Sequence, residues 1–328
     1  MEDNSVVCYE KWDLDRLATI QKLTLPKEIG NQLRKIRLEP DVPRLRVRYT
    51  TKRGDPLSRL YGNLVYHGPS YKRRKIESKE GYVYESTAHP MEDEYYGGSS
   101  LQTLPVWVRR LVAHEYYRDF DIVNCAPTLL AQILENEGMP VPAPLKEYNT
   151  DRNALFEKYR DVGEIKTAFL EVIHMGKVRV EIRETAQLKT SLRSALLRLS
   201  KHNTHYEALY LGCIKKVMGK QKYNILDAYS RVTKALGKFC AIVWQRQEHR
   251  VLMAMRRYFI EDAGCDPRHM VLAFDGIMVE KDEEKKIYVE AMCARVRRET
   301  GYAVQIVEKS LTPVKSDWDV YYGRTVLS

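Results

Sequence analysis

Three aspartates have the residue type and spacing needed to bind divalent cations. Asp119 and Asp121 flank one phenylalanine in DFDIVN, and Asp275 precedes a glycine in AFDGIMV. If DFDIVN is a strand, both of its carboxylates lie on one face and repel unless a cation separates them. A strand aspartate and a hairpin-tip aspartate can hold two metal ions about 3.5–4 Å apart, which activates an attacking oxygen and stabilises a leaving phosphate oxygen.

Each of these signals also has a simpler explanation. Asp-Gly is the dipeptide that type I′ hairpin turns favour, so Asp275-Gly276 predicts a turn whether or not it binds metal. Two aspartates on a strand edge are commonly only solvated. Their conjunction with a long helical region between them and a net charge of +10 favours the metal-binding interpretation.

Composition restricts the class of protein. The 328 residues are 44% hydrophobic and 30% charged, and no apolar run approaches the roughly 18 residues of a membrane span. The first residues are acidic and lack the apolar core of a signal peptide. The six cysteines include no Cys-x-x-Cys pair, which argues against a zinc site and a secreted disulfide framework. We therefore expect an intracellular protein in a reducing compartment, and the excess of Lys and Arg favours polyanionic partners.

The patterning predicts a helical region between two β-containing regions. Alternation before Gly54 predicts a strand, residues 61–100 predict exposed loops and a hairpin, and LPVWVRRLVAHEYY predicts a helix. RDFDIVN is predicted as a strand, and Pro127 opens a helix that Gly138 closes. Helices are then predicted over 151–175, 182–201, 204–218 and 224–262. Two short strands joined at Asp275-Gly276, a helix over roughly 283–299 and the strand YAVQIVEKS complete the chain.

The order of these motifs resembles DNA polymerase family A and the related single-subunit RNA polymerases. SSLQTLPVWVRRLV, ahead of the aspartate strand, is similar to the stretch that precedes the first catalytic motif. Lys166 in EIKTAFLEVIHMG resembles the lysine of the fingers helix, FCAIVWQRQEHRVL resembles the Gln-bearing palm helix, and AFDGIMV stands where the family has its His-Asp turn. DIVNCAPTLL also resembles the first palm motif of family B. The resemblance covers roughly residues 59–310.

The chain departs from the family pattern at several motif positions. Asn63 stands where family A usually has an arginine, and Met175 replaces the aromatic residue before the glycine of the fingers motif. Phe274 replaces the histidine before the second aspartate, and Gly276 replaces the acid after it.

The resemblance implies an α+β fold of the right-hand palm-and-fingers polymerase type, with a small antiparallel palm sheet and a large helical insertion. It implies an N-terminal segment over 1–58 that is thumb-like or template-binding. The palm would comprise 59–138 and 236–328, separated by helical fingers over 139–235. The implied activity is template-directed extension of a nucleic-acid 3′ end with nucleoside triphosphates, using two Mg²⁺ ions, with Mn²⁺ as a substitute.

The resemblance also implies roles for individual residues. Asp121 and Asp275 would bind metal, with Asp119 as a third ligand or a neighbouring acid. Lys166 would neutralise the triphosphate, and Arg160 and His174, on the same predicted helix, would face the nucleotide. The predicted nucleic-acid contacts are Gln102, Arg109, Gln245 in preference to Glu248, and the basic run that includes Lys72, Arg73 and Arg74. A metal site at His202 and His205 is rejected because no further ligand lies nearby in the sequence.

Ala126 predicts how the chain selects the sugar. In both polymerase families that DIVNCAPTLL resembles, DNA-synthesising members carry a bulky side chain five residues after the metal-binding aspartate, where it crowds the 2′ position. Alanine leaves that space open. We therefore predict weak discrimination against ribonucleotides.

Two rival functions remain open at this point. One is a primase or RNA polymerase on the same palm, although no Ser-x-His follows the acids as in archaeo-eukaryotic primases. The other is a catalytically inactive polymerase relative that only binds nucleic acid. The expected partners are template, primer, nucleoside triphosphates and replication accessory proteins, with no membrane. The small size of the chain suggests that it comes from a virus, plasmid or mobile element. It would then act in the host cytoplasm or nucleus, or at a viral replication site.

Overall fold

The protein has an α+β fold, as predicted. A computed structural model describes residues 5–36, 44–51, 59–67, 70–78, 81–89, 94–159, 162–218, 228–282 and 284–324. Within these ranges the chain forms two four-stranded antiparallel sheets, one two-stranded hairpin and twelve α-helices. The strands come from the two ends of the chain, and the long middle is helical.

The first sheet is built from the N-terminal third. Its strands are β1 (Val6–Glu10), β2 (Leu45–Thr51), β3 (Leu60–His67) and β6 (Glu94–Ser99), in the order β1-β2-β3-β6. Between β3 and β6, strands β4 (Ser70–Ser78) and β5 (Gly81–His89) form the separate hairpin. The predicted hairpin is therefore present, but the stretch predicted as exposed loops is mostly strand. The boundary proposed after residue 58 falls between two paired strands of this sheet.

The second sheet joins distant parts of the chain. It contains β7 (Tyr117–Ile122), β8 (Met270–Ala273), β9 (Gly276–Glu280) and β10 (Ile306–Lys309), in the order β10-β7-β9-β8. The aspartate strand and the hairpin strands are as predicted, whereas only four residues of YAVQIVEKS form a strand. The central strand β7 pairs with β9 on one side and β10 on the other, so the residues that flank Asp121 are Gly276 and Val307.

The predicted helices occur in the predicted order with shifted ends, and four helices that the sequence patterns did not predict occur beside them in the described ranges. Helices α1 (Leu14–Gln21), α2 (Lys27–Leu33) and α3 (Val106–Ala113) accompany the first sheet. The insertion contains α4 (Cys125–Asn136), α5 (Ala143–Thr150), α6 (Arg152–Glu157), α7 (Val162–Ile173), α8 (Arg183–Leu199), α9 (Thr204–Met218) and α10 (Ala228–Arg257), the last continued by a π-helical turn over Tyr258–Asp262. Helices α11 (Val289–Thr300) and α12 (Lys315–Tyr321) follow. The predicted helix 151–175 is thus two helices, and that predicted from 283 begins at Val289.

Helix α10 links the helical region to the second sheet. Its buried residues recur every three or four positions, as in Leu236, Phe239, Cys240 and Val243, so one stripe packs inward along its length. It contacts α4, α8, α9, α11 and β9. The two sheets adjoin where the backbone N–H of Tyr9 donates to the carbonyl of Arg268 at 2.7 Å. Among the described residues, no helix is long and apolar enough to cross a membrane.

Candidate functional site

The pairing of β7 with β9 brings Asp121 and Asp275 together. Asp121 lies directly opposite Gly276, the residue after Asp275. The backbone N–H of Ile122 donates to the carbonyl oxygen of Asp275 at 3.0 Å, which fixes the turn against the strand. Asp119 lies two residues before Asp121 and therefore on the same face of β7. Two acids 154 positions apart in the sequence numbering thus become neighbours through strand register.

The β8–β9 turn differs from the prediction by one residue. Ala273 pairs with Gly276, so the two turn residues are Phe274 and Asp275 rather than Asp275 and Gly276. Phe274 has a φ of 57°, which is rare for a bulky side chain. Its ring lies 5.5 Å from the ring of Tyr61 and 5.0 Å from the guanidinium carbon of Arg59. These contacts hold a strained turn that points Asp275, and not the glycine, out of the hairpin tip.

Gly276 is required by the close approach of the two strands. A Cβ at this position would lie 2.7 Å from the carbonyl oxygen of Phe120 and 3.0 Å from Oδ1 of Asp121. A larger side chain therefore has no space at position 276. The steric cause is the short distance between β9 and the Asp121 carboxylate.

The acids of this sheet are held at high electrostatic cost. Burial raises the pKa of Asp119 to about 6, with Arg109 opposing the shift and Asp121 reinforcing it. Burial and the charge of Asp121 likewise raise the pKa of Asp275. Lys309 on β10 forms an ion pair with Asp121. The three aspartates thus act on one another, and one lysine supplies part of the missing positive charge.

A cavity of about 480 Å³ opens over Asp121 and Asp275. Its wall gathers residues from seven separate parts of the chain, including three more of those predicted from the sequence, Ala126, Lys166 and His174. Ala126 lies in the first turn of α4, Lys166 on α7 and His174 just beyond the end of α7. Burial and the nearby Arg59 lower the pKa of His174. The structure therefore places most of the predicted metal and nucleotide residues around one space.

No family model and no curated protein matches the chain. The site must be interpreted from its own geometry.

Three further cations line the same cavity and were not predicted as site residues: Arg59, Arg152 and Lys309. Glu248, which was ranked below Gln245 from the sequence, lines it as well. Arg152 donates to the side-chain oxygen of Asn124 at 2.6 Å, at the N-terminus of α4. No sequence signal separates these three cations from the other Lys and Arg residues, which number 54 in all. Strand pairing and helix packing select them.

Glu248, and not Gln245, faces the cavity from α10. Glu248 is 1% exposed and accepts two hydrogen bonds from the Arg59 guanidinium, one of them from Nη2 at 2.6 Å. Burial raises its pKa to about 7, against the effect of Arg59. The preference for Gln245 rested on its residue type, whereas helix phase turns Trp244 and Glu248 towards the site.

The Arg59 guanidinium lies between two aromatic rings. Its central carbon is 4.8 Å from the ring centroid of Trp244, on the side of α10, and 5.0 Å from that of Phe274. The residue thus connects β3, α10 and the hairpin tip. It fixes both Glu248 and the turn that carries Asp275.

The predicted nucleic-acid contacts lie elsewhere or outside the described side chains. Gln102 is 4% exposed; its amide donates to the carbonyls of Leu60 and Leu272 and accepts from the N–H of Gly62, so it joins the two sheets. Arg109 is half-buried, and its positive charge lowers the pKa of Asp119 against the effect of burial. Lys72, Arg73 and Arg74 lie on β4, but the structure does not describe their side chains. Arg160 lies outside the described residues altogether. Template–primer contact by Gln102 and Arg109, phosphate binding by the basic run and nucleotide binding by Arg160 stay predictions.

The carboxylates at the cavity supply only part of the ligands that a hard divalent cation needs. Within the described ranges, no three His, Cys, Asp or Glu side chains converge closely enough to hold a metal ion by themselves. Asp121 and Asp275 line the cavity, whereas Asp119 does not. Two carboxylates in a space this large match Mg²⁺, which keeps several waters and binds through one or two carboxylates plus substrate phosphates. Asp121 and Asp275 are therefore the residues that would hold such ions, with the remaining ligands supplied by water and substrate.

Proposed function

We propose that the protein is a template-directed nucleotidyltransferase that extends a nucleic-acid 3′ end with nucleoside triphosphates. The observation that carries the proposal is the single cavity that holds Asp121, Asp275, Lys166 and His174. The β10-β7-β9-β8 sheet would be the palm, and α5–α9 the fingers. Template, primer and nucleoside triphosphates are the proposed partners, and an intracellular replication setting is the proposed location.

The acidic wall would bind the reacting phosphate through metal ions. Two Mg²⁺ ions at Asp121 and Asp275 would supply charge neutralisation for the attacking and leaving oxygens. The chain itself holds these two carboxylates at fixed register, with Gly276 keeping the strands close. Burial and then the negative charge of Asp121 raise the pKa of Asp275, and a bound cation would relieve the repulsion between the two carboxylates.

The basic wall would bind the triphosphate. Lys166, Arg152 and Lys309 line the cavity together with Asn124 and Cys125 at the N-terminus of α4. Backbone N–H groups at a helix N-terminus and nearby cations both favour phosphate. Since the same cavity is lined by carboxylates and by cations, it suits a ligand that carries both phosphates and metal ions.

The test is metal-dependent incorporation of a labelled nucleotide onto a primed template. Wild-type protein should extend the primer with Mg²⁺ and not with EDTA. Asp121→Asn should lower the rate by at least about 100-fold, since it removes a charge that acts in the transition state. Asp282→Asn, the same change two residues beyond the end of β9, should leave the rate unchanged. Equal rates for Asp121→Asn and the wild type would reject the proposal.

A second candidate, RNA synthesis or priming on the same fold, is favoured by Ala126. This residue is 8% exposed, lines the cavity and presents only a methyl group. Residue 126 therefore has no bulky side chain that would exclude a 2′-hydroxyl group. Ala126→Tyr should reduce ribonucleotide incorporation more than deoxyribonucleotide incorporation in a competition assay. Equal reductions would show that position 126 does not select the sugar.

A third candidate, an inactive nucleic-acid-binding relative, is favoured by the ion pair of Lys309 with Asp121. A lysine on the carboxylate competes with a metal ion. If this candidate is right, neither wild-type protein nor Lys309→Met incorporates nucleotide with any template and nucleotide combination. If the main proposal is right, Lys309 serves the triphosphate, and Lys309→Met raises the KM for nucleotide.

A further inference from the structure

Two more cavities flank the first half of α10, beside the candidate site. One, of about 460 Å³, lies between the end of α7, the end of α9 and α10. The other, of about 740 Å³, lies between the segment after α7, helix α8 and the start of α10. Met175 and Lys234 line both. We call the two together the α10 groove.

The charge of the α10 groove is of one sign. Lys216, Arg231, Lys234 and Lys238 line the first cavity. Lys177, Lys189 and Arg193 join Lys234 in the second. Among the described residues, no Asp or Glu lines either one, although the chain contains 44 acids. Seven cations therefore line the two adjoining cavities, and none of the described lining residues is a carboxylate.

The spacing of these cations opposes helix stability. Lys234 and Lys238 are four residues apart on α10, and Lys189 and Arg193 are four apart on α8. Like charges at this spacing lie about 5–6 Å apart at Cβ and destabilise a helix. Lys216 and Lys238 also act together on the thiol of Cys213, whose pKa burial raises and these cations lower. These cations on three helices repel one another, and an anionic ligand that contacts all three helices would relieve the repulsion.

The α10 groove meets the candidate site at His174. This residue lines the 460 Å³ cavity and also the cavity over the aspartates. A Cβ on Gly237 would lie 2.7 Å from the carbonyl oxygen of His174, so α10 passes close to the end of α7 at this junction. A chain that leaves the candidate site past His174 would run directly into the groove.

We propose that the α10 groove binds the phosphates of single-stranded nucleic acid, as the track along which a template strand reaches the site. The template role rests on the proposed function, whereas the binding does not. Apart from His174, no aromatic side chain lines the groove within the described ranges, so it lacks platforms for base stacking and is suited to the backbone. A free triphosphate carries its charge in one compact group and cannot neutralise cations on α8, α9 and α10 together.

The test is the salt dependence of binding to a fluorescent 20-nucleotide oligothymidylate, measured by anisotropy in EDTA. The slope of log K against log salt is about −0.7 for each phosphate neutralised on a single strand. Lys234→Gln with Lys238→Gln should therefore reduce the slope by about 1.4, and Lys189→Gln with Arg193→Gln should do the same from the other wall. Each variant should also bind more weakly than the wild type at low salt.

A matched control removes two exposed cations elsewhere. Lys286→Gln with Arg298→Gln should keep the wild-type slope and affinity. Unchanged binding in both groove variants would overturn the proposal. Displacement of the oligonucleotide by micromolar tripolyphosphate would also overturn it, because the groove would then be a site for a compact anion.

The design separates this inference from the proposed activity. Binding in EDTA requires no chemistry, and Asp275→Asn should bind the oligonucleotide at least as tightly as the wild type because it removes a negative charge. If the groove variants bind normally while Asp275→Asn abolishes incorporation, the groove assignment fails and the activity stands. If the groove variants lose binding and the wild type incorporates nothing, the groove assignment stands and the activity fails.

Discussion

Both four-stranded sheets contain buried acids, but the hydrogen-bond partners and charges around these acids differ. In the first sheet Glu10 is 0% exposed, and burial raises its pKa to about 7. Its carboxylate accepts hydrogen bonds from Tyr49 Oη at 2.7 Å, Trp12 Nε1 at 3.0 Å and the N–H of Leu101 at 2.9 Å. Three donors therefore satisfy one isolated acid, which gives it a structural role.

In the second sheet the acids lie close to one another, and Lys309 forms an ion pair with Asp121. Burial raises the pKa of Asp275, the negative charge of Asp121 adds to this rise, and a backbone N–H opposes it. Both face an open cavity. The contrast shows that burial alone does not mark a functional acid. Burial beside a second acid and open space is the combination that favours a cation.

The largest expected effect comes from disturbing the second sheet without removing an acid. Gly276→Ala would force a methyl group against Phe120 and Asp121. Because a misplacement of about 1 Å can cost 10²-fold in rate, primer extension should fall by about that factor. Gly212→Ala, in α9 with nothing within 4 Å of its added Cβ, should leave the rate unchanged. A fully active Gly276→Ala protein would mean that the position of Asp121 is not critical.

The second-largest expected effect is on stability. Removing the charge of a buried acid should change the free energy of unfolding in opposite directions in the two sheets. Glu10→Gln should lower the free energy of unfolding by about 1–3 kcal/mol, because the amide cannot satisfy all three donors. Asp275→Asn should keep or raise the free energy of unfolding at pH 8, because it removes a charge that repels Asp121. Urea denaturation of both variants measures the pair. Equal destabilisation would show that both acids are structural.

The smallest expected effect is a pH-dependent stabilisation by Mg²⁺. The pKa of Asp119 is raised from 3.8 to about 6 and that of Asp275 is raised too, so the folded state binds more protons than the unfolded one in this range. Without metal, stability from these groups is therefore greatest below about pH 4 and is lost as pH rises through about 6.

Mg²⁺ should offset that loss once the acids are ionised. At ten times its Kd it should add about 1.4 kcal/mol at pH 8 and almost nothing at pH 5. A thermal melt with and without Mg²⁺ checks this, with Asp275→Asn as the variant that should lose the effect. A shift of equal size at both pH values would point to binding elsewhere.

The sequence predicted the acids better than it predicted their surroundings. The β7 strand and the hairpin were readable because DFDIVN and VLAFDGIMVE are short apolar runs with clear limits. The turn was misplaced by one residue because Asp-Gly strongly favours a turn, whereas here the packing of Phe274 against Tyr61 and Arg59 overrides that preference.

The cations of the site were not readable in the same way. Lys166 was predicted from a helical motif, but Arg59, Arg152 and Lys309 enter the cavity through pairing and packing between distant segments. Glu248 was ranked below Gln245 because residue type carries no information on the phase of a 30-residue helix. Long-range register and helix rotation are the two quantities that local patterns do not contain.

We propose that Asp275 in the second sheet is catalytic, whereas Glu10 in the first is structural. The most direct test of this proposal is Mg²⁺-dependent primer extension by wild type, Glu10→Gln and Asp275→Asn, below the melting temperature of all three. The account predicts extension by the wild type and Glu10→Gln and a loss of at least about 100-fold in Asp275→Asn. Wild-type extension by Asp275→Asn would contradict it.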